Sequence, residues 1–402
     1  MTRLLNVFAI GAALSLAAVP LAHADDATVK IALVHGLSGS SLSDYSKQTT
    51  VGFNLGLEYA TKGTMSVKGH KIEVIEKDTQ FKPDIARAAL AEAYNDDGAL
   101  IAVGDTSSGV TAAMLPIAAQ YQKVLVVEPA VADSLTGPDS NRYIFKTSRN
   151  SSMDMQAQAV ALKPDGKLYV ATLAQDYAFG RDGIKAFKTA LDGTGAHLVD
   201  EEYVATDATD FTAAAQRMFD ALKDQPGRKV IMLYFAGAGD PLGKINAMDP
   251  ARYGIELSTG GNILAALAAY KQVPGMEGAI YYYYEIPKNP INDWLVAEHQ
   301  KRFNAPPDFF TAGGMIAALA IVKALETADS WDTDTLIKTM EGMTWDTPKG
   351  SMTFRPEDHQ ALQNMYHFKI KVDPNVKWAI PELVDTITPD QMKIPVGRNN
   401  QQ

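Results

Sequence analysis

The 402 residues contain no cysteine. Disulfide staples and thiolate metal sites are therefore excluded, and the apolar core alone must hold the fold. Histidine is scarce. The seven, at 23, 35, 70, 197, 299, 359 and 367, form no i, i+4 pair and no H-E-x-x-H, so no metal site is expected. His35 reads as a loop-edge residue and Glu357-Asp358-His359 as a solvated turn. A basic excess is also lacking: 37 Lys and Arg against 47 Asp and Glu give a formal net charge of -10. That balance favours solubility and speaks against nucleic acid, which wants a basic face. Beyond the first 24 residues no stretch reads as apolar enough to span a bilayer.

Catalytic signatures are missing too. In Gly36-Leu37-Ser38-Gly39 the second glycine comes one residue too early for a nucleophile elbow. Gly237-x-Gly239-x-x-x-Gly243 is one residue too long for a dinucleotide loop and contains Pro241. No Walker loop occurs. No catalytic residue, metal or cofactor is expected, and the chain does not read as an enzyme.

What is present begins with a leader. Arg3, an apolar run from Leu4 to Leu21 and the small-x-small triplet Ala22-His23-Ala24 form a secretory signal peptide with cleavage expected after Ala24. The remaining length suggests two domains. Short β-branched runs alternate with helical periodicity: "VKIALV", "HKIEVIEKD", "ALIAVG" and "KVLVVEPA" each precede a loop and a helix. The pattern restarts after residue 147 with "GKLYVATL", "HLVDEEYV", "RKVIMLYF" and "YGIELS". Repeated strand–loop–helix units predict parallel sheets covered by helices on both faces, here in two α/β lobes. Helices over 291–303, 309–326 and 332–342 follow, then a two-stranded addition with a polar turn at Arg355–His359.

The four tyrosines that open "YYYYEIPKNP" (281–290) are predicted to lie in a strand over 279–284. Alternation along a strand sends two of its tyrosines to each face. Buried phenols need partners, so one pair should line a cleft or an interface. In open parallel sheets that cleft lies beyond the strand carboxyl ends. The loops there carry hydroxyls, small residues and aromatics: Ser107, Ser108, Ala130, Ala132, Tyr177 and Phe179. A helix start beside serine hydroxyls can hold a carboxylate without a positive side chain, and aromatic walls can hold an apolar body.

Taken in order, "VKIALVHGLSGSSLSDYSKQTTVGFNLGLEYA", "IEVIEKDTQFKPDIARAALAEAY", "LIAVGDTSSGVTAAMLPIAAQYQKVLVVEPAVADSLTG" and "LAQDYAFGRDGIKAFKTAL" resemble the type I periplasmic substrate-binding proteins of ABC importers, in the leucine/isoleucine/valine-binding branch. The resemblance implies two Rossmann-like lobes joined by three hinge crossings, near Lys146–Asn150, Ala279–Tyr284 and Asp346–Gly350. It places residues 25–147 and 280–348 in lobe 1, and 148–279 and 349–402 in lobe 2. It implies a monomeric periplasmic receptor that closes on a small ligand and delivers it to membrane permease subunits. Ser107 and Ser108 match the family's carboxylate loop, Ala130 to Ala132 its small-residue segment, and Tyr177 and Phe179 its second-lobe aromatics. Leu37 and Ser38 lie in its first loop. Tyr281 and Tyr283 fall at a crossing, and Phe310 near a side-chain pocket. Amino-acid binders of the family commonly have threonine where Ala132 stands and an acid near Thr259. An ammonium buried here without its carboxylate would cost several kcal/mol. The expected ligand is therefore an apolar or aromatic carboxylate, such as a benzoate or a 2-oxo acid. A branched-chain amino acid is the alternative, with Glu285 or another acid as the ammonium partner.

Overall fold

The computed structural model describes residues 28–138, 140–163, 165–236, 241–260 and 263–397. The leader and part of the dinucleotide-like loop lie outside them. The first sheet runs through β1 (Thr28–His35), β2 (Ser66–Val67), β3 (His70–Asp78), β4 (Ile101–Gly104), β5 (Val124–Val127) and β6 (Ile144–Lys146), in the order β2-β3-β1-β4-β5-β6. All pairs are parallel except β2–β3. That hairpin closes through Lys68 and Gly69, both at positive φ (48° and 81°), the twist a two-residue hairpin turn requires. Alternation along the buried strands feeds two cores. Ile31, Leu33 and Val103 meet α1 (Ser43–Ala60) on one face. Ala32, Val34 and Leu125 meet α2 (Pro83–Asn95) and α3 (Ser108–Tyr121) on the other.

The second sheet contains β7 (Leu168–Gln175), β8 (His197–Val204), β9 (Arg228–Tyr234) and β10 (Ile255–Thr259), all parallel, in the order β10-β9-β7-β8. Val170, Val230 and Met232 pack on α4 (Ser151–Leu162) and α5 (Ala178–Leu191). Ala171, Leu173 and Ile231 face α6 (Thr212–Leu222), with α7 (Leu242–Asn246) and α8 (Leu264–Tyr270) in the same core.

The rest of the chain revisits both halves. After β11 (Glu277–Ile280) come α9 (Pro290–Phe303), α10 (Phe309–Thr327) and α11 (Thr333–Met340). Strands β12 (Thr344–Thr347), β13 (Gly350–Phe354) and β14 (Ala361–Leu362) form a small antiparallel sheet. β12 packs on α9 and α10, and Gln360 bridges to Lys146 at the end of β6. β15 (Met365–Lys371) and β16 (Ile380–Ile387) extend β11 into an antiparallel sheet packed on α4.

Three expectations need correction. The strand before the tyrosines stops at Ile280, and Tyr281 to Tyr284 follow in irregular backbone. The 355–359 turn is not solvated: Arg355 grips Asp358 with two bonds (2.8 and 2.6 Å). His359 there is buried, stacked on Phe145 at 4.0 Å. Helix α10 is, by length and composition, apolar enough to cross a membrane, but 89% of its apolar window is buried in the protein. It lies against α1, where Gly52 and Gly314 let the two backbones approach.

Candidate functional site

The loops at the strand carboxyl ends meet around a cavity of about 60 Å³. At about 10–15 Å³ per water that is room for roughly four to six waters, the bulk of a small organic acid. β1 and β4 diverge at the switch point of the first sheet, and α3 begins there. Thr106, Ser108 and Ala130 line that side. In the second sheet the loop after β7 and the first turn of α5 supply Tyr177 and Phe179, and the loop after β9 supplies Phe235 and Ala236. Seven aromatic rings border the space: Tyr45, Tyr177, Phe179, Tyr234, Phe235, Tyr281 and Phe310. They brace one another. Tyr45 stacks on Phe310 at 4.1 Å and Phe179 on Tyr234 at 4.0 Å.

The cavity has two polar poles. One is the N-terminus of α3, whose first-turn N–H groups and macrodipole favour an anion. Ser107 sits at the N-cap but makes no side-chain cap bond. Ser108 Oγ accepts from Ala132 N (3.2 Å) and keeps its proton to donate. The other pole is an ion pair at the start of α4. Arg149 Nε donates to Asp154 Oδ1 (2.7 Å), and Tyr234 Oη donates to Asp154 Oδ2 (2.9 Å). Asn150 caps α4 by accepting from Met153 N, and Asp154 in the first turn suits the dipole. The Arg149 guanidinium lies 4.6 Å from the Phe309 ring and 5.3 Å from that of Tyr281.

Of the residues named from sequence, Ser108, Ala130, Tyr177, Phe179, Thr259, Tyr281 and Phe310 converge on this cavity. Ser107 faces an outer chamber of about 380 Å³ that shares Leu42, Tyr177 and Ala236 with it. The other five lie elsewhere. Leu37 N and Ser38 Oγ are tied to Asp78 (2.8 and 2.6 Å), which draws that loop to β3. The Ala132 carbonyl accepts from Lys146 Nζ (2.9 Å). Tyr283 Oη accepts from Trp378 Nε1 (3.1 Å). Glu285 is exposed on a turn away from the cavity wall. Arg149 and Asp154 were missed. Their signal was an Arg and an Asp flanking a helix start, "RNSSMD", at the first expected crossing. Among the described residues no group of three or more His, Asp or Glu could hold a metal. His35 closes β1 at the loop edge and is buried there, and burial lowers it to about 4, so the ring is neutral.

Behind the wall, Glu128 is buried and accepts from Thr147 Oγ1 (2.9 Å), with Lys146, Arg149 and Lys349 nearby. Burial raises its carboxyl from 4.5 to about 7. The folded value lies above the unfolded one. The native state therefore holds a proton that the unfolded chain has already released, and stability falls as pH rises from about 4.5 to about 7. Asp105 and Asp308, raised by burial to about 6, titrate lower in that window. Between about pH 6 and 7.5 Glu128 alone should account for a loss of about 1 kcal/mol. Urea unfolding of Glu128→Gln should show that slope flattened; an unaltered slope would assign it to other groups.

Two α/β halves with a ligand-sized, aromatic cavity between their strand carboxyl ends define a solute receptor of the kind that closes on a small molecule. The sequence profile of the periplasmic binding protein family matches residues 28–375, and the chain belongs to that family. It is similar, at 63% identity, to an ABC-type branched-chain amino acid transporter from Rhodopseudomonas palustris CGA009, whose crystal structure superposes with a TM-score of 0.84 over 92% of this chain and 100% of that one. A solute-binding protein of an ABC transporter from R. palustris BisB5, solved with 3,4-dihydroxybenzoic acid, is 26% identical, with a TM-score of 0.79 over 91% and 98% of the chains. The Leu/Ile/Val-binding protein homolog 6 of Brucella melitensis is 25% identical over 328 residues, 78% of this chain and 81% of its own length. The protein is an ABC-type solute-binding receptor, of a family that serves membrane permeases from the periplasm.

Proposed function

We propose that the cargo is an aromatic monocarboxylate, held in the inner cavity and enclosed by hinge closure of the two lobes. The observation that carries this is the cavity itself: seven aromatic rings around a space of about 60 Å³. Its two ends are a helix N-terminus and an ion pair already neutralised internally. The carboxylate belongs at the α3 end with Ser108 and Thr106. The dihydroxybenzoate-bound relative supports the same ligand class. Cargo is released unchanged, without catalysis and without a cofactor. The leader supports export with cleavage after Ala24, and the receptor works as a monomer. Lobe 1 takes the chain to residue 147 and again from 280. The packing of β12 on α9 and α10, with the Gln360 bridge to β6, favours a third crossing between Gln363 and Met365, later than Asp346–Gly350.

A branched-chain amino acid is the second reading. Asp154 favours it, since its carboxylate borders the cavity and could face an ammonium; exposed Glu285 does not. Thermal unfolding against benzoate, 4-hydroxybenzoate, 2-oxoisocaproate and leucine separates the two. A ligand bound only by the folded state stabilises it by about 2.7 kcal/mol at a hundredfold excess over Kd. The aromatic acids should raise Tm and leucine should not. A rise with leucine alone would reverse the order of the two readings.

A further inference from the structure

Leu264 opens α8, and a first-turn N–H has no acceptor within its own helix. Ile263 before it supplies no side-chain cap. The acceptor comes from the other lobe. Both carboxylate oxygens of Asp308 receive Leu264 N, at 3.1 and 3.0 Å. Asp308 is at the same time the N-cap of α10, accepting from Phe309 N (2.8 Å), and Gln48 Nε2 on α1 donates to it as well (3.2 Å). One carboxylate thus joins the start of a helix in the first half to the start of a helix in the second. Its place in the chain ties it to the site. Gly260 lines the inner cavity shortly before Leu264, and Phe310 lines it two residues after Asp308. Ser134 N and Oγ also reach Asp182 across the halves (2.9 and 2.8 Å), but in an exposed contact.

We propose that Asp308 is a positioning residue for ligand binding: its bond to Leu264 forms as the lobes close and holds the Phe309–Phe310 wall against the second lobe. This rests on hinge closure and not on the identity of the cargo. An N–H given to a carboxylate is a strong hydrogen bond. It can form only with the lobes together, so it favours the closed form over the open one and thereby tightens binding.

Two variants separate reach from capping. Asparagine and serine both cap a helix about as well as aspartate. Asparagine keeps an oxygen within reach of Leu264 N, and the shorter serine does not. Calorimetric Kd values for 4-hydroxybenzoate and leucine, with amide exchange at Leu264 followed by NMR, are compared in wild type, Asp308→Asn and Asp308→Ser. Asp308→Ser should bind whichever compound the wild type binds roughly tenfold more weakly, while Asp308→Asn stays within about threefold of wild type. The Leu264 amide should be protected in wild type and Asp308→Asn and exposed in Asp308→Ser. Equal affinities in all three proteins overturn the proposal. So does an equal loss in both variants, which would assign the effect to charge rather than reach. A Leu264 amide that exchanges freely in wild type, with and without ligand, overturns it with no variant needed, as does protection that persists in Asp308→Ser. Wild-type protein that binds neither compound overturns both cargo readings, and exchange at Leu264 in the ligand-free proteins then decides for or against the bond.

Discussion

Arg149→Met should lower stability by about 3–5 kcal/mol, because it leaves a carboxylate buried without its cation. Arg149 and Asp154 are only 12% and 11% exposed in their side chains and meet at 2.7 Å. After the substitution Asp154 would keep only the hydroxyl of Tyr234. Adding Asp154→Asn removes the stranded charge and still offers Tyr234 an acceptor, so the double variant should recover more than half of the loss. Urea midpoints of the wild type, the two single variants and the double variant measure this directly. The midpoint is the safer readout here, since two lobes need not unfold in one step. A midpoint unmoved by Arg149→Met would mean that the pair is solvated and contributes nothing.

Gly314→Ala should have an effect at least as large. A Cβ there would lie 2.0 Å from the Thr49 carbonyl oxygen, and one at Gly52 would lie 1.8 Å from that of Thr311. Both obstacles are backbone, so no rotamer change relieves them. Overpacking of a well-packed core commonly costs about 1–3 kcal/mol, and parting α1 from α10 should exceed that range. Gly166→Ala is the control, since its Cβ would meet nothing closer than 3.9 Å. A Gly314→Ala protein with the wild-type midpoint would show that the two helices slide apart freely.

The architecture was readable because its periodicities are local. The short apolar run Ile31–Ala32–Leu33–Val34, bounded by a Gly/Ser loop, reads as a strand buried on both faces, and each such strand is followed by a loop and a helix. The tyrosine strand was overextended because aromatic residues favour strands while Pro287 and Pro290, which help end one, come later. His359 was misjudged because its partners lie far away in the chain: its Nδ1 contacts the Ile144 carbonyl oxygen at 2.9 Å. Of the thirteen site candidates, Ser108, Ala130, Tyr177 and Phe179 reached the cavity because the loops at strand ends mark it, Tyr281 because of the tyrosine run, and Thr259 and Phe310 because of the family resemblance. Arg149 and Asp154 escaped because a charged pair beside a helix start looks like any solvated N-terminus until the fold closes over it. Leu37 and Ser38 were placed by proximity to the first loop, and only the pairing of β1 with β3 shows that Asp78 claims them.

The contact between α1 and α10 also sets an order of events. Gln48 and Asp308 hydrogen-bond across it (3.2 Å) although 260 positions separate them. The strands and helices of the second sheet are contiguous from Ser151 to Tyr270, and can assemble as soon as that stretch is free. The first sheet cannot cover α1 until α10 arrives. In a chain that emerges N-terminus first, the half begun earliest must therefore wait, with α1 uncovered, until the second sheet has been made. Such long-range closure slows folding and leaves apolar surface open to misassociation. Refolding should thus show a fast phase reported by probes in the second sheet, and a slower phase reported by the burial of Phe53.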